Sequence, residues 1–328
     1  MGLLTLKASD AHAKPIKWDV DGLIPLGGIT LLFGDPGVGK SLFVCRLAST
    51  TGIGTNTLIC NNEDDWARVL VPRLTAYSAI HGVDFADKVN SGRTLTFPSG
   101  CADLEETIIT NGYRRVFIDP LFSFADDGVN PANDQQARKM LIPLAEVAKR
   151  TDCAIICVGH LVKQDRKALY RVSGAIGVVG QARSVLLMHR GEGNERYLLQ
   201  VKNNYGPLKE PRKYTIETKD DIPLLIASEV MYGMTNEEVM DPQKQRQPKE
   251  GSEVARAKDW IMNEVEKLYN RVPGKGNSKK IYSKWVLTTA FDNAGLSKAS
   301  LQRAREILNI QSYKEDGLWW WDLSEYIN

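Results

Sequence analysis

Ile29-Thr-Leu-Leu-Phe33, then Gly34-Asp35-Pro36-Gly37-Val38-Gly39-Lys40-Ser41, then Leu42-Phe-Val-Cys-Arg-Leu-Ala48 is the stretch that decides the fold. The first run is apolar and β-prone, and the last has helical spacing. The residues between them satisfy G-x-x-x-x-G-K-[ST] at every fixed position. Its glycines let successive backbone N–H groups point inward around a polyphosphate, and the N-terminus of the following helix adds partial positive charge. Lys40 is placed to reach the β- and γ-phosphates, and the Ser41 hydroxyl to hold Mg2+. The phosphate cradle is therefore read as residues 34–41 with Leu42, and its ligand as a nucleoside triphosphate.

Outward from this loop, β-type runs alternate with helical ones as far as about residue 230. Strands are expected at Thr57–Asn61, Arg115–Ile118, Ala154–Gly159, Val185–His189, Arg196–Lys202 and Tyr214–Glu217. Helices are expected at Lys40–Ser49, Trp66–Ile80, Asp103–Asn111 and Asp134–Arg150. The early strands are apolar on both faces, as in a buried parallel sheet. The alternation predicts an α/β domain with a mostly parallel sheet, whose last strands come too close together for helical crossovers and pair as antiparallel hairpins.

A chain of 328 residues suggests two domains. Its 25% charged residues and net charge of +2 do not by themselves announce a nucleic-acid partner. No stretch approaches the roughly 18–20 uncharged apolar residues of a membrane span, and Met1–Val20 lacks a signal-peptide core. The five cysteines, Cys45, Cys60, Cys101, Cys153 and Cys157, suit a reducing compartment. A cytoplasmic protein is expected.

Hydrolysis needs more than a phosphate loop. Asp119 closes the apolar run Val116-Phe-Ile-Asp119, where a P-loop enzyme keeps its Mg2+-organising carboxylate; the same acid would also suit the turn before Pro120. Glu63, Asp64 and Asp65 follow the strand ending at Asn61. One of them can orient the attacking water, with Glu63 favoured, while another favours the start of the next helix. His160 ends a third strand on the same edge, where ligands bind in such sheets. Cys153, Cys157 and His160 do not make a zinc site, for which four convergent ligands are wanted.

Taken in order, the phosphate loop, the acid after the second strand, Val-Phe-Ile-Asp119, Val-Gly-His160, Arg171-Val-Ser-Gly-Ala-Ile176, Ala182-Arg183-Ser and Val201-Lys-Asn-Asn-Tyr-Gly-Pro207 carry a resemblance. Residues of about 15–210 resemble the RecA-like ATPases of the DnaB branch, and most of all the RepA-type replicative helicases of plasmids and phages. The resemblance implies a helicase or translocase acting in DNA replication. Its form would be a homo-oligomeric ring, a hexamer, with ATP and Mg2+ bound between subunits and single-stranded DNA in the channel. Lys40 and Ser41 would bind phosphate and Mg2+, Glu63 would be the catalytic base and Asp119 the Mg2+-organising acid. His160 would sense the γ-phosphate, and Arg183 would be an arginine finger reaching the neighbouring subunit. Where DnaB-type enzymes carry Lys-x-Arg this chain has Lys202-Asn203-Asn204, which puts more weight on Arg183 and leaves Lys202 for a piston role. The cation-rich run Leu161–Arg171, with Lys163, Arg166, Lys167 and Arg171, would be a channel loop on single-stranded nucleic acid. Flexible cations beside Tyr170 suit phosphate contact and base stacking.

Residues 241–252 contain no apolar residue and read as a linker between a first domain, 1–240, and a second, 253–328. Between Lys267 and Arg305 stand nine Lys/Arg and one acid, Asp292. Within that basic segment Trp285–Ala294, the turn Gly295-Leu296 and Ser297–Leu308 read as a helix-turn-helix, and Tyr313–Asp322 as a hairpin wing. The unit looks like a winged helix that binds duplex DNA or a replication protein. Lys298, Gln302 and Arg305 line one narrow sector of its second helix, the face such a helix offers to a major groove. Trp319–Trp321 read as core and edge packing, because strand alternation buries at least one ring. Two other functions fit the same residues: a RadA- or KaiC-like DNA-binding ATPase switch, and a winged-helix regulator whose nucleotide site sets its oligomeric state.

Overall fold

A computed structural model describes residues 5, 7–10, 12–50, 56–86, 94–130, 133–161, 176–240, 252–271, 279–308 and 310–324. The chain divides into two units, Met1–Glu229 and Val230–Asn328. In the first, β1 (Trp18–Val20) and β2 (Ile24–Pro25) form a small antiparallel ribbon. A nine-stranded sheet follows, made of β3 (Gly28–Gly34), β4 (Asn56–Asn61), β5 (Val83–Phe85), β6 (Tyr113–Asp119), β7 (Ala154–His160), β8 (Ser184–Arg190), β9 (Glu195–Asn203), β10 (Arg212–Lys219) and β11 (Ile222–Val230). Their spatial order is β11-β10-β9-β8-β3-β7-β6-β4-β5. Neighbours from β8 through to β5 run parallel. Strand β9 pairs antiparallel with β8, and β10 with β9. The core is RecA-like α/β with a mostly parallel sheet, as expected. Strands β3, β6 and β7 are buried nearly end to end, which is why they read as continuous apolar runs rather than alternating ones.

Helices α1 (Lys40–Ser49), α2 (Val71–Ala76), α3 (Cys101–Asn111), α4 (Asp134–Thr151) and α5 (Ile176–Gln181) belong to this unit. The Asn133 side chain accepts from the N–H groups of Gln135 and Gln136 and so starts α4. The single helix expected over Trp66–Ile80 is broken. A π-helical turn at Trp66–Leu70 precedes α2, and a 3-10 turn follows at Ile80–Gly82. Pro72 lacks the N–H that a continuous helix needs there, and Ser78 sits at φ 57°, ending the run. The core also holds a buried ion pair. Arg115, on β6, donates to the Asp19 carboxylate at 2.7 Å and to the Leu47 carbonyl at 2.6 Å, with both charged side chains buried. The pair ties the β1 ribbon and the end of α1 to the sheet.

The second unit comprises α6 (Asn236–Met240), α7 (Glu253–Asn270), β12 (Lys280–Tyr282), α8 (Ser283–Ala294), α9 (Lys298–Ile307), β13 (Ser312–Glu315) and β14 (Leu318–Asp322). The three strands form an antiparallel sheet in the order β12-β14-β13. Gly295 at φ 62° ends α8 and the Ser297 hydroxyl caps α9. Ile261, Val265, Leu268, Ile281, Val286, Leu301, Ala304 and Trp321 form the core. Along β14, Trp321 is buried while Trp319 is 53% exposed.

The division falls ahead of the expected 241–252 linker, because residues 232–239 pack on α9. Glu238 pairs with the buried Arg303 at 3.3 Å. A Cβ on Gly233 would stand 2.6 Å from that of Arg303. The apolar-free run at 241–251 lies outside the described residues, and the chain on both sides of it belongs to the second unit.

Candidate functional site

The parallel strands bring their C-terminal ends to one edge. Gly34 of β3 is in register with His160 of β7, and Asn61 of β4 with Asp119 of β6. Between β3 and α1 the phosphate loop bends through Gly37 and Gly39, at φ 67° and 103°, a left-handed backbone that side chains other than glycine rarely adopt. Gly34 is needed for space, since a Cβ there would stand 2.7 Å from the Met188 carbonyl.

Lys40 is 7% exposed, and its Nζ donates to the carbonyls of Gly34 and Asp35 at 3.0 Å each. Burial lowers its pKa, against the charges of Asp119, Glu63 and Asp35. The same Nζ lies 3.2 Å from His160 Nδ1. An ammonium has only donors, so Nδ1 accepts, the imidazole is the Nε2–H tautomer, and that nitrogen faces Glu63 Oε2 at 3.9 Å. Ser41 Oγ stands 3.4 Å from Asp119 Oδ2. Burial, then the charges of Asp64 and Glu63, push the Asp119 carboxyl up to about 7. A hydroxyl and a crowded carboxylate are hard oxygen donors short of a cation, which suits Mg2+. Sequence-expected Lys40, Ser41, Glu63, Asp119 and His160 thus converge.

The three acids after β4 part company. Asp65 caps the helical turn that follows, its carboxylate accepting from Arg68 N at 2.9 Å. Glu63 and Asp64 are turned to the site by Asn61, whose Oδ1 accepts from their backbone N–H groups at 3.0 and 2.8 Å. Cys157 is buried in β7, and Cys153 is buried just ahead of it.

The model of the AAA domain family AAA_25 matches residues 3–166, half of the chain. The chain belongs to that family. This AAA domain is a P-loop ATPase, and ATP with Mg2+ is its generic ligand. It is similar to the DNA repair protein RadA of Brucella abortus, 26% identical over 190 residues, covering 56% of this chain and 38% of that protein. RadA of Mycobacterium tuberculosis is 27% identical over 232 residues, covering 64% and 43%. The chain spans about two-fifths of the length of these curated relatives. A DnaB-like replicative helicase, solved for its interactions with primase, superposes with a TM-score of 0.50 at 14% identity, covering 67% of this chain and 66% of that one. That likeness shows the fold.

Beyond the matched residues, two arginines that the sequence did not single out stand at the phosphate loop. Arg196, on β9, is buried and donates to the Val38 carbonyl at 2.9 Å. Arg190, directly opposite it at the end of β8, donates to the Gly37 carbonyl at 3.3 Å and is exposed. Two like charges face each other here because each is spent on a loop carbonyl. Their bracketing of the turn Gly191-Glu192-Gly193-Asn194 is visible in the sequence, but not that β8 lies beside β3.

Arg183 stands at the other end of β8, and its side chain is exposed. Strand β8 is seven residues long, so at about 3.3 Å per residue it spans roughly 20 Å. Arg183 therefore cannot reach the phosphate loop of its own chain. Lys163, Arg166, Lys167 and Arg171 lie outside the described residues.

In the second unit Lys298 is exposed, its Nζ 5.8 Å from the centre of the Tyr232 ring. Gln302 is partly buried, and its Oε1 has no hydrogen-bond partner among the described residues. Arg305 stands in the same expected sector. Its side chain is only 17% exposed, and the guanidinium donates to the Ile310 carbonyl just beyond α9. The chain beyond α9 folds back over the helix end, so a residue in the expected sector is consumed in capping. No helix among the described residues is long and apolar enough to cross a membrane.

Proposed function

We propose that this ATPase is a ring-forming motor that hydrolyses ATP between subunits and translocates on single-stranded DNA, as a RepA-type replicative helicase does. The observation that carries the reading is the placement of Arg183: an exposed cation at the end of the sheet opposite its own phosphate loop is useful to hydrolysis only in a second copy of the chain. Lys40 binds the β- and γ-phosphates. Ser41 and Asp119 hold Mg2+, which on binding offsets phosphate charge. Glu63, aimed by Asn61, takes the proton of the attacking water. His160, between Lys40 and Glu63, registers whether the γ-phosphate is present. Arg190, with its flat guanidinium beside the loop, adds a further nucleotide contact in the same chain. A finger supplied in trans is worth about 10³–10⁵ in rate.

The second unit, read as a winged helix from its order α7-β12-α8-α9-β13-β14, holds duplex DNA or a replication protein, with Lys298 as its exposed contact on α9. Lys163, Arg166, Lys167 and Arg171 contact the strand in the channel.

Mixing tests the reading. Lys40→Ala abolishes turnover, and Arg183→Ala keeps nucleotide binding but loses hydrolysis. Combined, the two inactive proteins recover part of the single-stranded-DNA-stimulated ATPase, because one copy offers an intact loop and the other an intact arginine. No recovery sinks the placement of Arg183. The RadA relatives favour a second reading, an ATPase switch that binds DNA without unwinding it. Displacement of a strand from a forked duplex separates the two: the motor unwinds it and the switch does not.

A further inference from the structure

The segment that presents Arg183 is held on three sides. Its N–H donates to the Ile29 carbonyl at 2.8 Å, and its carbonyl accepts from Asn204 N at 2.9 Å. Asn203 closes the turn that carries Asn204. Its Nδ2 donates to the carbonyls of Gly22 and Pro207 at 3.2 and 3.1 Å, and its Oδ1 accepts from Tyr205 N at 3.0 Å. The third hold is Lys202. Its Nζ donates to the Val179 carbonyl at 2.7 Å and the Ala182 carbonyl at 2.9 Å.

Those carbonyls belong to the last turn of α5 and the residue just past it, where backbone oxygens have no intrahelical donor. Helix α5 has six residues, too few to persist without tertiary support. A lysine at its C-terminal end satisfies the loose carbonyls and meets the negative end of the helix dipole. Burial and the neighbouring Arg183 charge lower the pKa of this ammonium, and the two carbonyls offset that cost.

We propose that Lys202 is a positioning residue for Arg183: it holds the end of α5, and so fixes the segment from which the arginine is presented to a second copy of the chain. The proposal rests on reading Arg183 as acting in trans. It assigns Lys202 no contact with nucleotide, because reaching across an interface would strip two carbonyls of their donor.

The test is ATP turnover by the full chain, at saturating ATP with single-stranded DNA, for Lys202→Met, Arg183→Ala, the double variant and Lys202→Arg. Displacing a catalytic group by an ångström costs about 10²-fold, so Lys202→Met lowers kcat by about 10- to 100-fold with the Kd for nucleotide unchanged. The double variant is no slower than Arg183→Ala alone. Lys202→Arg, which keeps the charge and the donors, recovers most of the turnover, and stands in for the methionine variant should that one unfold at the assay temperature. Effects of Lys202→Met and Arg183→Ala that multiply overturn the proposal, since Lys202 would then act independently of the arginine. So does wild-type turnover by Lys202→Met beside an inactive Arg183→Ala, which leaves the trans reading standing, and so does a Lys202→Arg variant as slow as Lys202→Met. Wild-type turnover by Arg183→Ala overturns both.

Discussion

Asn61 ends β4 in register with Asp119 at the end of β6, and its side-chain carbonyl holds the N–H groups of Glu63 and Asp64. It is 6% exposed, so this geometry is fixed before any nucleotide arrives. Replacing it with alanine frees the two acids to swing, while the loop that binds phosphate is untouched. Asn61→Ala is therefore expected to lower kcat by about 10- to 100-fold, with ATP binding nearly unchanged. Single-turnover hydrolysis measured beside equilibrium binding checks it, and a variant that loses binding instead assigns Asn61 to the loop. Lys40, Ser41 and Asp119 were legible in the sequence because their geometry is local: a loop between a strand and a helix, and an acid at a strand tip. Asn61 was not, because its value lies in two backbone groups it points at its neighbours. Arg190 and Arg196 were not, because the β8–β9 hairpin meets the loop only through tertiary packing. The Arg305 contact was not legible either, since the sector it occupies is visible in the helical repeat and the carbonyl it caps is not.

Among the elements, α1 and α4 matched their apolar periodicity to within a residue, whereas the stretch from Trp66 opens as a π turn, passes to α2 around Pro72, which has no N–H to donate, and stops before Ser78 at φ 57°. The late strands extend to β11, and the short strands of the ribbon and β5 are too brief for any alternation to show. In the second unit two helix starts are tied together: the Glu253 carboxylate, at the first residue of α7, accepts from Ser297 N, the cap of α9, at 2.6 Å. That bond, made to the charged form, lowers the Glu253 pKa. A depressed carboxylate pKa contributes stability that is present above the unfolded value, about 4.3, and is lost as pH falls through the folded value. The stability gap between wild type and Glu253→Gln is thus expected at pH 7 and closes in acid below about pH 4. Denaturant titrations followed by tryptophan fluorescence report it, since Trp260, Trp285, Trp319, Trp320 and Trp321 all stand in this unit. A gap that is the same at both pH values removes the carboxylate charge from the account.

For the whole molecule, composition pointed to two domains, but it also pointed to the apolar-free run at 241–252 as the place where they part. Polarity marks where chain is solvated, not which unit it serves. The residues before that run, 232–239, carry apolar and charged groups into the second unit. Met234 and Val239 are 9% and 5% exposed, Glu238 answers the buried Arg303, and Gly233, at φ 74°, lies against α9 where no side chain fits. A fragment of residues 253–328 lacks all of these. Fully burying one such apolar side chain is worth about 1.5–3 kcal/mol, and loss of the ion pair adds to it. The fragment 230–328 is therefore expected to be more stable than 253–328 by about 2–4 kcal/mol. Urea unfolding of the two measures the difference in midpoint. Within the longer fragment, Gly233→Ala, which must push a Cβ against the α9 backbone, should move the midpoint toward that of the shorter one. Equal midpoints for the two fragments would reduce residues 230–240 to a connector that α9 does not need. The expected difference instead makes this strap part of the unit, packed along α9 at Lys298, Ala299 and Arg303.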